Sequence, residues 1–234
     1  METPDSGITP AMSPPPGLQS NFVDPPTMMS AAIAWTVIIH LFTLPFILVR
    51  VYINFVSKRL HIEDYLCYLS YLGCIAYTIA ILHAESVGLA RHLWDIPLAT
   101  FTNVLYSCNI VFICYTATGG LAKTMVFLQL KKVFTTGAYD AVFWVIVGSL
   151  VVNAVFYLAM LFMYIFTCWP REKIWDSSIE GHCLDSNNLN MAMGILNVIS
   201  DMEAFAVPVW AICHLSMELK RKISVLAVFG VGAM

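Results

Sequence analysis

Four stretches of this chain contain no Asp, Glu, Lys or Arg: residues 25–49, 65–84, 96–122 and 141–170, of 25, 20, 27 and 30 residues. A helix needs about 20 predominantly apolar residues to cross a bilayer, so each stretch is long enough to span one. No water-soluble domain of 234 residues could spare so much of its length from charge. Soluble domains carry about 25% charged residues, whereas this chain has 12% charged against 59% hydrophobic. These figures exclude an ordinary cytosolic enzyme and a disordered regulator. With 12 basic against 15 acidic residues, they also argue against a nucleic-acid partner, which would require a basic surface. The bilayer is the expected solvent.

A fifth span is expected within residues 189–217, interrupted by Asp201 and Glu203, and an apolar run at 223–234 reads as the first half of a sixth. The spans must be helical, because lipid offers no partner to an unpaired backbone group. Continuously apolar runs such as residues 154–163 also lack the alternation of a barrel strand. The predicted fold is an all-α, polytopic transmembrane helical bundle. Its spans are placed at about 30–50, 65–84, 103–128, 141–166 and 189–214, with 223–234 incomplete. Residues 1–27, with seven prolines, are expected to form a disordered or polyproline-like lead before a membrane domain at 28–234.

The basic residues set the predicted orientation. Lys58 and Arg59, Lys131 and Lys132, and Lys220, Arg221 and Lys222 follow helices one, three and five. Arg50 and Lys123 can snorkel toward the same side, which leaves only Arg91, Arg171 and Lys173 on the other. The positive-inside rule then puts the N-terminus outside and the odd-numbered loops in the cytoplasm. The plasma membrane is the expected location.

Chemistry-bearing residues are few. Cys168 and Cys183 fall in the predicted outer loop, where an oxidising environment favours a disulfide; a metal site with His182 is the weaker alternative. Asp201 is an acid within a span, and Asn197 lies one helical turn before it on the same face. The pair reads either as packing polarity held between helices or as a proton, cation or switch site. Arg91 and His92 are candidate ligand contacts in the loop after helix two, where a plain solvated loop is the alternative. No hydrolase elbow, zinc-protease helix or dinucleotide loop is present. An enzyme is therefore not the expected class, and no metal or cofactor is implied. Lys123 lies near a helix end, so no lysine stands deep in a span to carry retinal.

An ordered set of residues resembles a known family. Phe166, Cys168 and Pro170, then Trp175-Asp176, then Gly181-His182-Cys183 and Asp185 resemble the outer loop of the fungal rhodopsin-domain integral membrane proteins. Asn197 and Asp201, Pro208, Leu215, Lys220-Arg221-Lys222-Ile223 and Phe229-Gly230 continue the pattern. So do Arg50, Glu63-Asp64-Tyr65, Gly88 with Arg91-His92, and Lys123 with Phe127-Leu128. The turn from Gly88 to His92 is one residue longer than the compact form of the family.

The resemblance implies a seven-helix architecture and a receptor-like role of the Pth-eleven-like, G-protein-coupled kind. An outside small ligand and a cytoplasmic signalling partner would go with that role. Against that architecture the chain is expected to hold five spans and part of a sixth. A transporter, an enzyme acting on a lipophilic small molecule, and a non-functional truncated family member are the alternatives.

Overall fold

The computed structural model describes residues 8–135, 141–176 and 178–214. Five long helices dominate it: α1 (Met29–Ser57), α2 (Ile62–Ala84), α3 (Leu98–Phe134), α4 (Ala141–Ile165) and α5 (Ser186–His214). Each is long and apolar enough to cross a membrane. At 37 residues, α3 is about 55 Å long, more than a hydrocarbon core of about 30 Å requires. The run at 223–234 and the basic triplet Lys220-Arg221-Lys222 lie outside the described residues.

Helix α1 buries no residue, and Trp35, Leu41, Phe42, Tyr52 and Phe55 are all more than 60% exposed. In water such a surface would be an aggregation hazard; against lipid chains it is satisfied. Pro45 sits inside α1 and Pro208 inside α5, positions tolerated in membrane helices where neighbours satisfy the freed carbonyls. Helix α2 starts at an acid-capped end. The Asp64 carboxylate accepts from the His61 backbone N–H at 2.9 Å, while the Asp64 N–H donates to the His61 carbonyl at 3.0 Å. The first of these bonds is the acid half of a capping box, and Asp64 is 5% exposed.

The chain divides into two compact units, to which α2, α3 and α4 each contribute segments. Over the described residues, unit 1 falls within 8–60, 71–118 and 163–184, and unit 2 within 61–70, 119–162 and 185–214.

In unit 1, His40 on α1 meets Thr78 of α2 at 3.0 Å and presents an edge contact to Tyr71. A π-turn (Glu85–Leu89) continues α2 and closes at Gly88, whose φ is +143°. Glycine is needed there, since a Cβ would be strained by that φ and would press on Val104 and Ile96. The segment after α4 forms a two-residue ribbon of β1 (Cys168–Trp169) against β2 (His182–Cys183). Cys168 and Cys183 are register partners joined by a disulfide. A 3₁₀ turn (Arg171–Ile174) follows β1, and Trp175 packs edge-on against Tyr106 of α3 at 5.1 Å.

The N-terminal lead differs from expectation over its described part. The backbone of Thr9 and Ala11 pairs with Leu98 and Ile96, and Pro10 bridges Pro97. The Asn21 N–H donates to buried Asp95 at 2.8 Å, and the Met28 N–H to the Ala90 carbonyl at 3.1 Å. Prolines suit an edge of this kind because it asks few N–H donors of them. Residues from Thr9 onward are thus tied to the loop after α2 rather than forming a disordered lead.

In unit 2 the core is Phe127, Leu130 and Phe134 of α3, Val142 and Ile146 of α4, and Val207 of α5. Gly119 and Gly120 admit Tyr157: a Cβ at Gly120 would stand 2.9 Å from that of Tyr157. Small residues that let helices approach closely are a common device of membrane packing.

Candidate functional site

The densest side-chain chemistry among the described residues is a polar network in unit 2. Helix α4 presents Ser149, Asn153 and Tyr157, spaced four apart and so aligned along one face. Helix α5 presents Asn197, Ser200, Asp201 and Glu203, and α3 supplies Lys123. Tyr157 donates its hydroxyl to Asn197 Oδ1 at 2.5 Å, and Asn197 Nδ2 donates to Asp201 Oδ2 at 3.3 Å. Lys123 Nζ donates to the other oxygen of Asp201, forming a salt bridge. A second branch centres on Asn153. Its Nδ2 donates to the Ser149 carbonyl at 2.9 Å and to Glu203 Oε2 at 2.8 Å, and its Oδ1 accepts from the Ser200 hydroxyl.

Burial grades this network. Asn153, Tyr157 and Ser200 are 3–4% exposed; the Lys123 side chain is 13% exposed and that of Asp201 53%. A charge at the bilayer centre costs on the order of 3 kcal/mol on insertion scales. Pairing Asp201 with Lys123 and Asn197 offsets that cost, and a hydrogen bond to a charged group contributes about 1.5–3 kcal/mol. The arrangement can hold α3, α4 and α5 in one register and can release them if the pair is broken. Both Asp201 oxygens are engaged, one by Lys123 and the other by Asn197.

The other sequence-marked residues are placed as follows. Arg91 is exposed, and its N–H donates to the Gly88 carbonyl at 3.0 Å. His92 is exposed but stacked on Trp94 at 4.4 Å with an interplanar angle of 6°. Lys58 is the left-handed C-cap of α1, followed by Arg59. Lys131 and Lys132 close α3, where they complement the helix dipole; Lys131 lies over the Phe143 ring, and Lys132 is 3.9 Å from Glu63. In the loop closed by Cys168–Cys183, Lys173 donates to the Ile179 carbonyl, and Asp176 accepts from the Ser178 N–H and hydroxyl. Those two bonds hold the Asp176 carboxyl below its ordinary pKa. Among the described residues no group of three or more His, Cys, Asp or Glu is arranged to hold a metal ion.

Sequence reasoning placed Asn197 and Asp201 on one face, and the structure bonds them. It missed three things. Lys123, read as snorkelling, is the ion partner of Asp201; Asn153, inside the longest uncharged run, anchors Glu203; and His40 joins α1 to α2. The spacing Ser149, Asn153, Tyr157 was the available signal for the α4 face. Nothing in the sequence linked Lys123 to a residue 78 positions away.

Five spanning helices, with almost no sheet, define a multi-pass membrane protein of the all-α class. The fungal rhodopsin domain family matches residues 49–234, and the chain belongs to that family. It is 29% identical to a SAT4 family membrane protein of Emericella nidulans over 157 residues, covering 67% of this chain and 41% of that protein. It is 26% identical to Fugralins biosynthesis cluster protein 2 of Gibberella zeae, covering 95% of this chain and 57% of that one. Satratoxin biosynthesis SC1 cluster protein 4 of Stachybotrys chartarum is 30% identical over 105 residues, covering 41% of this chain and 38% of that one. The chain thus spans 57% or less of the length of these curated relatives. No solved structure matches it.

Proposed function

We propose that this chain is a receptor-like membrane protein in which the Lys123–Asp201 pair is the element that rearranges when a small molecule binds. The observation that carries this reading is the network itself. An ion pair set among hydrogen bonds from three helices has two discrete conditions, closed and broken. A ligand favouring one of them shifts the population by its difference in affinity. In this reading the N-terminus lies outside at the plasma membrane, with the loop around Arg91 and His92 on the ligand side. Lys58, Arg59, Lys131, Lys132 and residues 220–222 face a cytoplasmic signalling partner. This reading invokes no cofactor.

The test is made in a fungal strain with a transcriptional reporter. Lys123→Met and Asp201→Asn should change basal output, and alanine at Lys131 and Lys132 should suppress it, all with normal surface delivery. Output unchanged by all of these variants would overturn the reading. The topology fails if a tag before Met28 is inaccessible on intact cells while one after Lys132 is accessible.

A second reading, a carrier or membrane enzyme handling a lipophilic small molecule, is favoured by the names of two relatives, which refer to biosynthesis clusters. It predicts substrate uptake or turnover in reconstituted vesicles that Asp201→Asn abolishes.

A further inference from the structure

Helix α3 reaches well past the ends of its neighbours in unit 1. Asn109 Nδ2 donates to the Tyr164 carbonyl at 3.0 Å, so the last turn of α4 stands level with Asn109. The end of α2 reaches nearly the same level. Gly73 approaches Thr118, and the Tyr77 and Tyr115 rings are 5.9 Å apart. The two helices thus run antiparallel, which carries Ala84, the last residue of α2, to the turn of α3 that holds Cys108. From Asn109 to Lys132, which stands 3.9 Å from Glu63 in the first turn of α2, α3 covers about 35 Å. That is close to a hydrocarbon core of about 30 Å. The turns from Leu98 to Cys108 add about 16 Å of helix beyond it. They expose Thr100, Thr102 and Asn103, and they are clad by the chain itself. The Leu98 N–H donates to the Thr9 carbonyl at 2.9 Å, and Trp175 packs against Tyr106.

The lipid–water boundary on this side therefore falls near Asn109 and the first residues after α4. What the chain presents there is apolar. Val155, Leu158 and Phe162 are exposed at helical spacing along α4, and Phe166 continues the series. Trp169 of β1 ends it. Strand alternation turns Cys168 inward, at 4% exposure, and Trp169 outward, at 74%. Exposed Leu184 donates its N–H to the Thr167 carbonyl across the ribbon at 2.7 Å. The disulfide closes the ribbon, and a Cβ at Gly181 would collide with the Trp169 carbonyl, so the backbone under Trp169 is tightly fitted. Indole combines an apolar ring with one N–H donor, which suits it to the boundary between lipid chains and water.

We propose that the ribbon closed by Cys168–Cys183 is a membrane-interface element, with Trp169 inserted among phospholipid headgroups beside Phe166 and Leu184. Phospholipid is the occupant of this surface because the surface continues the lipid-facing side of α4 without a break. The proposal rests neither on the receptor reading nor on which compartment the ribbon faces.

The full chain, with fluorotryptophan at its six tryptophan positions, is placed in phosphatidylcholine nanodiscs for fluorine NMR. Trp169→Phe and Trp94→Phe assign two signals, and unchanged positions of the remaining signals show that the fold is kept. Trp94, stacked on His92 in the loop after α2, is the reference outside the lipid. Phosphatidylcholine carrying a nitroxide near its headgroup should broaden Trp169 more than Trp94, by about twofold or more. A water-soluble gadolinium chelate should reverse that order. Lipid-label broadening of Trp169 no greater than that of Trp94 overturns the proposal. If the chelate then reaches Trp169, the ribbon stands in water; if neither reagent does, a second copy of the chain covers the surface.

Discussion

The two units treat buried polarity in opposite ways. In unit 2, Asp201 is held by Lys123 and Asn197, and Glu203 by Asn153. In unit 1 one oxygen of the Glu85 carboxylate, Oε2, is buried without a hydrogen-bond donor. The contrast extends to how each unit is secured. Unit 1 is closed by the Cys168–Cys183 bridge and by backbone bonds from the N-terminal lead, whereas unit 2 relies on its apolar core and the network across α3, α4 and α5. An acid within a span is therefore not one kind of feature. With its partners supplied it behaves as a fastening; without them it carries the cost of an unmet acceptor.

That comparison can be broken at its covalent end first. Replacing Cys168 and Cys183 together by serine should lower stability by about 3 kcal/mol, the loop-closure contribution for a ring of some 15 residues. Unfolding in mixed micelles would measure it. A loss no greater than that of a surface substitution would mean that the ribbon holds without its bridge.

Next in size is Lys123→Met, which removes the ion partner of Asp201. Exposed pairs contribute about 0–1 kcal/mol and breaking a buried one costs about 3–5. A pair with one side chain largely buried and the other half-exposed should fall near ~2 kcal/mol between those limits. Adding Asp201→Asn should recover most of the loss, because no lone charge remains. If the double variant is as unstable as the two single losses added together, Lys123 and Asp201 do not act as a pair.

The smallest effect is at the exposed turn of Asp176. Its carboxyl is held below the ordinary value by Ser178, so the folded form binds its proton less readily than the unfolded chain. The stability this adds is fully present above the unfolded pKa and is lost as pH falls through the lower folded one. Ser178→Ala should move the Asp176 titration upward by NMR, and an unchanged titration would remove the turn from the account.

Much of the fold was legible in the residues. The uncharged run at 141–170 predicted a span at 141–166, and α4 occupies Ala141–Ile165. The ends of α3 were less legible. It begins five residues before its predicted start and extends six past its predicted end, because a helix that leaves the hydrocarbon need not stop there. The tail misled for a different reason. Seven prolines suggest a lead without partners, but the backbone of Thr9, Ala11 and Asn21 found them on the loop at 95–98. At the site, the Asn197–Asp201 spacing could be read because both lie on one helix. Glu85 could be grouped with His83, Arg91 and His92 around the loop after helix two, but that one of its oxygens lacks a donor is known only once its neighbours are in place.

What the residues alone decided is which solvent the chain needs and where it crosses. Lipid penalises each charge by itself, so the positions of the twelve basic and fifteen acidic residues delimit the helices without reference to any partner. What packing alone decided is the fate of each polar group inside those helices. Hydrogen bonds and ion pairs belong to two residues at once, and the two stand 78 positions apart for Lys123 and Asp201 and 50 for Asn153 and Glu203. Only the approach of α3, α4 and α5, the first two meeting closely at Gly119 and Gly120, brings such residues within bonding distance.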